Sequence, residues 1–448
     1  MPEPVQHANV VIVGAGVAGL SAAHRLTRAG VPTLVLEAGP GVGGRMSTEK
    51  VDGFRLDRIG RLLCTSYPEL RRSPGLDSLV LRPFSPGVLV HSDGRRHRAG
   101  EPAPTRRAMG ALNTARALAS APRVPRPRTA RTPRPTAPLG SPLDQARLAK
   151  ALARLGATPV PRLLARPELA SADALSRGGL PARTLDGFVR PLLTALLCDP
   201  DLTTSSRCAD LALYAYARGR LCVPEGGADA LPELLAAGLP PETVRTGVRV
   251  NAISANAVTT EEHGEIRCRA TLLATGARAA AELLPGLRVP DFHAVTVVHH
   301  AVPEPPLTDP ALLLDADRLG PVAHTAVISQ VDPTRAPAGR ALVSSTVLGP
   351  PPPERALRSQ LAALYGTSTD GWETLAVHHD PEAVPAMPPP HDLRRLVRVL
   401  DGLYVCGDHR GTSTVQGALH SGRRAAHAIL ADLGIPLARG AGAVPAAA

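Results

Sequence analysis

The sequence contains 448 residues, enough for two or three compact units with a sizeable core. Hydrophobic residues make up 44% of it and charged residues 20%, proportions that exclude a wholly disordered chain. The net charge is +11, but the run from Arg95 to Arg134 holds eleven arginines and one acid, Glu101, so this run carries +10 and leaves +1 for the rest. Because the charge is so localised, and the chain has just one Trp, five Tyr and four Phe for base stacking, we expect no nucleic-acid partner.

The sequence shows no sign of export or of a membrane span. No apolar run reaches the roughly 20 residues that a transmembrane helix requires, and Glu3, with no basic residue, precedes the first apolar stretch. The six cysteines are scattered without a C-x-x-C pair, which indicates a reduced protein and gives no support to a zinc site. Two histidine doublets, His299-His300 and His378-His379, are predicted on strands, where neighbours face opposite sides and cannot share a metal ion. We therefore expect a cytoplasmic protein without a metal.

A glycine-rich turn follows the first predicted strand. Asn9 to Val13 (NVVIV) is a β-branched run typical of a buried parallel strand, and Gly14 to Gly19 (GAGVAG) opens a helical pattern that ends near Gly30. In this arrangement Gly14 permits the tight turn, Gly16 lets the backbone approach a pyrophosphate, and Gly19 lets the helix lie close to the strand. The start of the helix then offers N–H groups and a partial positive charge to phosphates.

An acidic residue ends the second predicted strand. This strand runs from Val31 to Leu36 and is followed by Glu37, which lies 23 positions after Gly14. A carboxylate at this point accepts both ribose hydroxyls of an adenosine and repels a 2′-phosphate. The sequence therefore predicts a dinucleotide site that disfavours NADP.

The residues after Glu37 favour one dinucleotide, FAD. They read Ala38-Gly39-Pro40-Gly41-Val42-Gly43-Gly44-Arg45. An E-A-x-x-x-x-G-G-R sequence directly after the second strand resembles the flavin-containing amine oxidase and phytoene desaturase superfamily. The resemblance implies that the G-G-R segment lies along the flavin end of FAD and that Arg45 reaches the pyrophosphate. Two glycines allow close backbone approach, and a guanidinium neutralises a diphosphate through paired hydrogen bonds.

Two later segments resemble the same superfamily. Gly402 to Asp408 (GLYVCGD) is typical of a strand that ends in a Gly-Asp turn, and a helical pattern follows from Val415. The resemblance implies that Asp408 binds the ribityl chain and that the N-terminus of the helix stabilises the flavin anion. In the middle of the chain, Val223 to Ala228 (VPEGGA) precedes another predicted helix, after which Val250 occupies the position whose backbone contacts the adenine.

The resemblance thus gives a set of expected cofactor contacts. The residues expected to bind FAD are Gly14, Gly16, Val17, Ala18, Gly19, Glu37, Ala38, Gly43, Gly44, Arg45, Gly60, Arg61, Val250, Gly407, Asp408, Val415, Gln416 and Ala418. Gly60-Arg61 stands where the superfamily has a pair of glycines, and the sequence leaves the role of Arg61 near the flavin ring open. No Ser-Gly-Gly-Cys motif for covalent attachment occurs, so noncovalent FAD is expected.

We predict an α/β fold in which a Rossmann-like FAD-binding domain is assembled from residues 1–90, 218–288 and 390–436. Residues 91–217 and 289–389 are expected to form an α+β substrate domain with a mixed or antiparallel sheet and helices. The Arg/Pro-rich residues 95–138 are expected to be a mobile connector, and residues 437–448 a flexible tail. An alternative for the run Arg95 to Arg134 is peripheral contact with an anionic membrane surface.

The expected reaction moves a hydride from an organic small molecule to the flavin. Amine oxidases of the superfamily commonly use a lysine that holds a water beside flavin N5, but the two lysines here, Lys50 and Lys150, lie far from that position in sequence. We therefore expect desaturase-like or protoporphyrinogen-oxidase-like oxidation of an apolar substrate, with amine oxidation as an alternative. A non-redox prenyl-lipid or protein carrier is a further alternative, disfavoured because Glu37, Arg45 and Asp408 are all present. The sequence singles out no catalytic side chain.

Overall fold

The computed structural model of the chain describes residues 8–101 and 140–436. The predicted tail and most of the Arg/Pro-rich run lie outside the described residues. Within them the strands, β1 to β21 in chain order, are Val10–Val13, Thr33–Glu37, Thr48–Val51, Phe54–Asp57, Leu63–Cys64, Leu81–Pro83, Val88–Ser92, Arg95–Ala99, Leu221–Pro224, Val244–Thr246, Val250–Ile253, Ala257–Thr260, Gly264–Arg267, Ala270–Leu273, Phe292–Val302, Leu313–Asp315, Val322–Val327, Ala341–Leu348, Glu373–Pro385, Arg398–Leu400 and Leu403–Val405. The α-helices there, α1 to α13, are Val17–Arg28, Pro68–Arg72, Pro142–Ala157, Val160–Leu164, Ser171–Arg177, Ala182–Thr184, Arg190–Leu197, Ser206–Arg218, Ala230–Ala237, Ala277–Leu283, Ile328–Val331, Glu354–Tyr365 and Val415–Asp432.

A largely parallel sheet carries the predicted nucleotide site. In the described chain it has six strands in the order β10-β2-β1-β14-β21-β20, of which β20 alone is antiparallel to its neighbour. Strand β1 is apolar throughout because both faces of the sheet are covered. Val10 and Ile12 pack with α1 and α13, whereas Val11 and Val13 pack with the small antiparallel sheet β11-β12-β13. This is the predicted Rossmann-like α/β arrangement.

The first and last long helices touch at a glycine. A Cβ added at Gly422 in α13 would overlap the backbone oxygen of Ala18 in α1, so the two backbones approach as closely as two helices can. The hydroxyl of Ser21 donates to the carbonyl of Leu419 across the same contact, at 3.2 Å. This packing joins the glycine-rich turn at the start of the chain to the helix that follows Asp408.

A second sheet has the character predicted for the substrate domain. Its strands in the described residues follow the order β19-β15-β18-β17-β16-β7-β8, and every pair except β16 with β7 is antiparallel. Helix α12 packs on one face through Leu357, Leu361 and Leu364. Helices α7 and α8 cover the other face. The predicted mixed sheet with helices is thus present.

The Arg/Pro-rich run begins later than we predicted. Arg95–Ala99 is strand β8, which pairs with Val88–Ser92, so these residues are not part of a mobile connector, and residues 88–90 belong to the second sheet rather than to the nucleotide-binding sheet. The physical reason is the Asp93-Gly94 turn, whose residues have φ of 52° and 68°, the backbone that closes a two-residue hairpin. The arginines of this hairpin therefore belong to β8 and not to the proline-rich segment that follows.

A buried ion network joins the connection between β17 and β18 of the second sheet to strand β4 and to the turn after β9. The guanidinium of Arg335, which is 1% exposed, contacts Asp57 Oδ1 at 2.8 Å and Asp332 Oδ2 at 2.9 Å. Backbone N–H groups of Gly226 and Ala228 donate to the same two carboxylates, each at 2.8 Å. Burial alone would raise the pKa of Asp57, but Arg335 outweighs it and holds that pKa below its ordinary value. Because each charge is paired and hydrogen-bonded, removal of one partner would leave an uncompensated buried charge.

The contact at Gly422 gives a test of the fold. We expect Gly422→Ala to lower the free energy of unfolding by about 1–3 kcal/mol, because a methyl group there must push α13 away from the backbone of α1. Denaturant unfolding followed by circular dichroism measures the change. Gly276→Ala is the matched control, since a Cβ at Gly276 meets no atom within 4 Å. Equal stability of the two variants would show that the close approach of α1 and α13 is wrong.

Candidate functional site

The three glycines of the turn after β1 have three different surroundings. Gly14 has a φ of +106°, and a Cβ there would lie 2.9 Å from the carbonyl oxygen of Ala274. A Cβ at Gly19 would overlap the carbonyl oxygen of Gly14, so this glycine allows α1 to lie against the turn. A Cβ at Gly16 would meet no atom within 4 Å. The turn is therefore crowded on its protein side and open at Gly16, the position predicted to approach the pyrophosphate. Val17 and Ala18 are buried in the first turn of α1.

Glu37 is held by the glycine-rich turn. Its Oε2 accepts the N–H of Ala15 at 2.8 Å, and its Oε1 accepts the N–H of Gly39 at 2.8 Å, across the intervening Ala38. A carboxylate has about four acceptor positions, so each oxygen keeps one for a further donor. The carboxylate is thus fixed at the carboxyl end of β2, where parallel sheets bind nucleotides.

The Gly43-Gly44-Arg45 segment lies directly against the same turn. The N–H of Gly43 donates to the carbonyl of Ala15 at 2.9 Å. Gly43 and Gly44 have φ of +110° and +58°, which side chains disfavour. A Cβ at Gly44 would meet no atom within 4 Å, as at Gly16. The two open glycines give the backbone surface that a diphosphate needs for close approach.

An ion pair joins Arg45 to the predicted C-terminal motif. The Nη2 of Arg45 lies 2.6 Å from Oδ1 of Asp408, and its Nη1 donates to the carbonyl of Ala383 at 2.9 Å. Burial alone would raise the pKa of Asp408, but the guanidinium outweighs it and holds that pKa below its ordinary value. The Arg45 side chain keeps 35% of its surface accessible, so one face of the guanidinium is available to a ligand anion. Residues 363 positions apart are therefore brought into one site.

The turn at Asp408 leads into a helix with a capped start. Gly407 has a φ of +143°, and its N–H donates to Ser421 Oγ at 3.1 Å, which fixes the turn against α13. The Thr414 hydroxyl caps the helix by accepting the N–H of Gly417 at 3.0 Å. Val415 and Ala418 are buried in the first turn of α13. The side-chain oxygen of the third predicted residue there, Gln416, accepts the N–H of Glu69 at 2.9 Å. A flavin contact at Gln416 stays a prediction.

The structure gives Arg61 a position that the sequence left open. Its Nη1 contacts Cys198 Sγ at 3.0 Å, and its Nη2 donates to the carbonyl of Ser413, just before α13. Gly60 lies against the second sheet, where a Cβ would be 3.4 Å from Thr346 Oγ1. Arg61 thus brings a positive charge to the start of α13, on the side that the substrate sheet covers.

A histidine that we did not predict lies near this arginine. His324 pairs with Thr346 in the second sheet and is 5% exposed. Burial, reinforced by the charge of Arg61, lowers the pKa of His324 to about 4, so the imidazole is neutral at neutral pH. Its position became visible only through the pairing of β17 with β18, since nothing in the surrounding sequence marks it.

The segment between β10 and β11 binds the loop that follows Glu37. The backbone hydrogen bonds to the Glu37 loop come from Gly247, whose N–H donates to Gly39 O, and from Val248, whose N–H donates to Glu37 O, both at 2.9 Å. Val250, the predicted residue, begins strand β11 and pairs with Thr260. Strand β10 ends at Thr246, and three residues, Gly247 to Arg249, connect it to β11. The backbone contact of Val250 with the adenine stays a prediction.

These residues fit FAD. The predicted residues line the carboxyl edge of the parallel sheet. They are the anchored carboxylate of Glu37, the open backbone at Gly16 and Gly44, and the ion pair of Arg45 with Asp408. This arrangement suits an extended molecule with an adenosine at the Glu37 end, a diphosphate at the glycines and a flavin near Arg61 and α13.

The ion pair gives a pH-dependent test of the site. We expect Arg45→Met to lower the free energy of unfolding by about 1–3 kcal/mol above pH 5, because it leaves the Asp408 carboxylate buried and unpaired. The deficit should shrink as the pH falls towards the ordinary aspartate pKa of about 3.9, since protonation removes the unpaired charge. Denaturant unfolding between pH 4 and pH 8 measures it.

The double variant Arg45→Met/Asp408→Asn is the control for that experiment, and it should recover part of the stability because neither charge is then present. A deficit that stays constant with pH, or no recovery in the double variant, would contradict the charge pairing.

Comparison with known proteins places the chain in a family. The model of the family "flavin containing amine oxidoreductase" matches residues 17–430. A hydroxysqualene dehydroxylase from Sinorhizobium fredii (strain NBRC 101917 / NGR234) is 29% identical over 332 residues, 68% of this chain and 70% of that protein. A phytoene desaturase from Cercospora nicotianae is 33% identical over 103 residues, which cover 21% of this chain and 17% of that protein.

A solved structure shows the same fold. Cyclohexylamine oxidase from Brevibacterium oxydans IH-35A is 18% identical, with a TM-score of 0.66 over 96% of this chain and 100% of that chain. The family match spans nearly the whole chain and confirms the resemblance read from the glycine-rich turn, the G-G-R segment and the Gly-Asp turn. The chain belongs to the flavin-containing amine oxidoreductase family and is an FAD-dependent oxidoreductase.

Proposed function

We propose that the protein uses FAD to take a hydride from an uncharged, largely apolar substrate. The observation that carries this proposal is the cavity at the start of α13. In the described chain it is bounded by residues 412–416 on one side and by α8 on the other, and no charged side chain is among its lining residues. An ammonium substrate needs carboxylates or an aromatic cage to replace its water. The cavity has two tyrosines, Tyr67 and Tyr214, but no carboxylate to pair with an ammonium group. An uncharged hydrocarbon needs no such partner.

The lining of this cavity is apolar with a few hydroxyl groups. Its residues are Ser66, Tyr67, Pro68, Leu197, Cys208, Leu211, Ala212, Tyr214, Ala215, Thr412, Ser413, Thr414 and Gln416. Its volume is about 40 Å³, so it admits a slim group rather than a whole large molecule. We infer that the reacting segment of the substrate enters here, beside the residues expected to hold the flavin.

The lysines support the same reading. Lys50 lies exposed on strand β3, and Lys150 lies exposed on helix α3. Neither lines the cavity at α13. The chain has no other lysine, so the water-holding lysine of the family's amine oxidases has no counterpart at this cavity.

Two relatives are consistent with an apolar substrate. Hydroxysqualene dehydroxylase and phytoene desaturase are both named for isoprenoid substrates, and the first of them matches over 68% of this chain. We therefore extend the proposal to substrates of the isoprenoid hydrocarbon type.

The side chains around the flavin end have assignable tasks. Bound FAD supplies the hydride acceptor. Arg61 and the N-terminus of α13 provide positive potential at the end of the site where a reduced flavin gathers negative charge. Arg45 would neutralise the diphosphate, and it orients Asp408. His324 stays neutral, so it adds no second charge beside Arg61.

Contact with an anionic membrane surface stays a prediction. Most of the arginine-rich run, residues 102–134, lies outside the described residues. Within the described chain, a groove of about 820 Å³ among the helices has an apolar floor and a rim that includes Arg147, Lys150, Arg154 and Arg177. This pattern suits anionic lipid head groups around buried chains. No helix in the described part of the chain is long and apolar enough to cross a membrane.

The proposed reaction is tested by the colour of the flavin. Under anaerobic conditions the yellow holoenzyme should be bleached by an isoprenoid hydrocarbon or a porphyrinogen delivered in detergent, and not by a panel of primary amines. Stopped-flow absorbance of the flavin bands measures this. Bleaching by amines alone would overturn the proposal, and a flavin that no candidate substrate bleaches would favour the carrier alternative.

A variant of the cavity connects that result to the structure. Ala212→Phe should fill the cavity and slow bleaching by the apolar substrate at least tenfold, while the flavin spectrum stays unchanged. Lys50→Met, which changes an exposed residue on β3 outside both cavities, is the control and should bleach at the wild-type rate. A cavity variant that bleaches as fast as wild type would show that the substrate binds elsewhere.

A further inference from the structure

A histidine and two aspartates meet at one end of the second sheet, away from the strands that carry the predicted nucleotide site. Strands β7 and β16 run parallel, and His91 is the register partner of Asp315, the last residue of β16. The N–H of Ala316 donates to the carbonyl of His91 at 3.0 Å, which continues this pairing past the strand end. Asp317 follows in the adjoining turn. The backbone therefore fixes all three residues relative to one another.

The three side chains converge. One ligand atom from each of His91, Asp315 and Asp317 lies within 4.8 Å of the other two. His91 is buried, with 3% of its surface exposed, and its Nδ1 has no hydrogen-bond partner. The nearest acceptor to Nδ1 is Oδ2 of Asp317 at 3.5 Å, beyond a hydrogen bond of good geometry. A buried nitrogen without a partner, facing two carboxylates, is costly unless something else binds it.

Both carboxylates are oriented by neutral donors. Asp317 accepts the Ser92 hydroxyl at 2.9 Å and the Asp93 N–H at 2.8 Å. Asp315 accepts the Gln360 side-chain N–H at 2.7 Å, the Leu319 N–H at 2.8 Å and the Asp317 N–H at 3.0 Å. Hydrogen bonds of this kind hold the ligands of metal sites in place.

The two acids lack an arginine or lysine partner. In the described residues these two acids form a single ion pair between them, the contact of Asp317 with His91. Asp315 is buried, and a buried charge is normally paired or bound to a metal. Asp317 lies at the exposed end of the cluster. The cluster thus has oriented ligands and negative charge, without a fixed cation to balance them.

We propose that His91, Asp315 and Asp317 bind a divalent transition-metal ion, with Zn²⁺ as the best match. Imidazole nitrogen combined with carboxylate oxygen suits Zn²⁺, whereas Ca²⁺ requires six to eight oxygen ligands. Zinc bonds of about 2.0–2.1 Å in a tetrahedron place neighbouring ligand atoms about 3.3–3.4 Å apart, close to the 3.5 Å between His91 Nδ1 and Asp317 Oδ2. The Asp317 side chain is 25% exposed, so a water can complete the coordination and the ion has a path of entry.

The metal would fasten the edge of the substrate sheet. His91 lies in the hairpin β7-β8, and both aspartates lie in or after β16, so one ion joins the hairpin to the strand beside it. Arg96, the exposed partner of His91 across the hairpin, repels a cation, and we therefore expect micromolar rather than nanomolar affinity.

Zinc binding to the full-length holoenzyme tests this proposal. After treatment with a chelator, equilibrium dialysis should show one Zn²⁺ bound per chain with micromolar affinity, and Co²⁺ should give visible d–d absorption. His91→Gln and Asp317→Asn should each weaken Zn²⁺ binding at least tenfold. Zn²⁺ should raise the Tm of the wild type and leave the Tm of both variants unchanged.

Matched variants of exposed residues separate this site from other surface ligands. His263→Gln and Asp401→Asn alter exposed side chains elsewhere and should bind Zn²⁺ like the wild type. If His91→Gln fails to fold, Asp317→Asn, whose side chain is partly exposed, still decides the question. No saturable Zn²⁺ uptake, or uptake of equal affinity in Asp317→Asn, would overturn the proposal. Neither result depends on the identity of the flavin's substrate.

Discussion

The arrangement of the site depends on the ion pair between Arg45 and Asp408. One residue follows the second strand and the other follows the last strand of the parallel sheet, 363 positions later. The pair forms because the parallel sheet places β2 and β21 with their carboxyl ends at one edge. It is stable because burial, which opposes a lone charge, strengthens the attraction between two opposite charges. With this contact in place, the glycine-rich turn, the G-G-R segment and α13 form one continuous surface.

Close backbone packing makes that surface possible. Gly19 lets α1 lie against the first turn, and Gly422 lets α13 lie against α1. At the open glycines, Gly16 and Gly44, an added Cβ would meet no atom within 4 Å. The same residue type thus has two tasks: two glycines allow protein atoms to touch, and two leave room for the cofactor.

Sequence reasoning succeeded where the chemistry was local. The apolar run of β1, the glycine-rich turn and the acid at 37 specify a strand, a helix start and a carboxylate within 30 residues, and the structure shows all three. It failed where tertiary pairing decides. His324 and Arg61 come together through the second sheet, and the N–H of Val248, which the sequence did not single out, donates to the carbonyl of Glu37. The hairpin at Asp93-Gly94 was missed although its turn is a strong local signal, because the arginines after it were read together with the prolines. The cluster at His91 could not be predicted, since its ligands are more than 220 residues apart.

The central claim is that one FAD extends from Glu37 to the start of α13, held at both ends. Titration of the apoprotein with FAD and with FMN, followed by calorimetry, tests it most directly, because FMN lacks the adenosine half that Glu37 would bind. The account predicts one FAD per chain and an affinity for FMN at least 100-fold lower. Equal affinities for FMN and FAD would show that the Glu37 end of the site does not bind the cofactor.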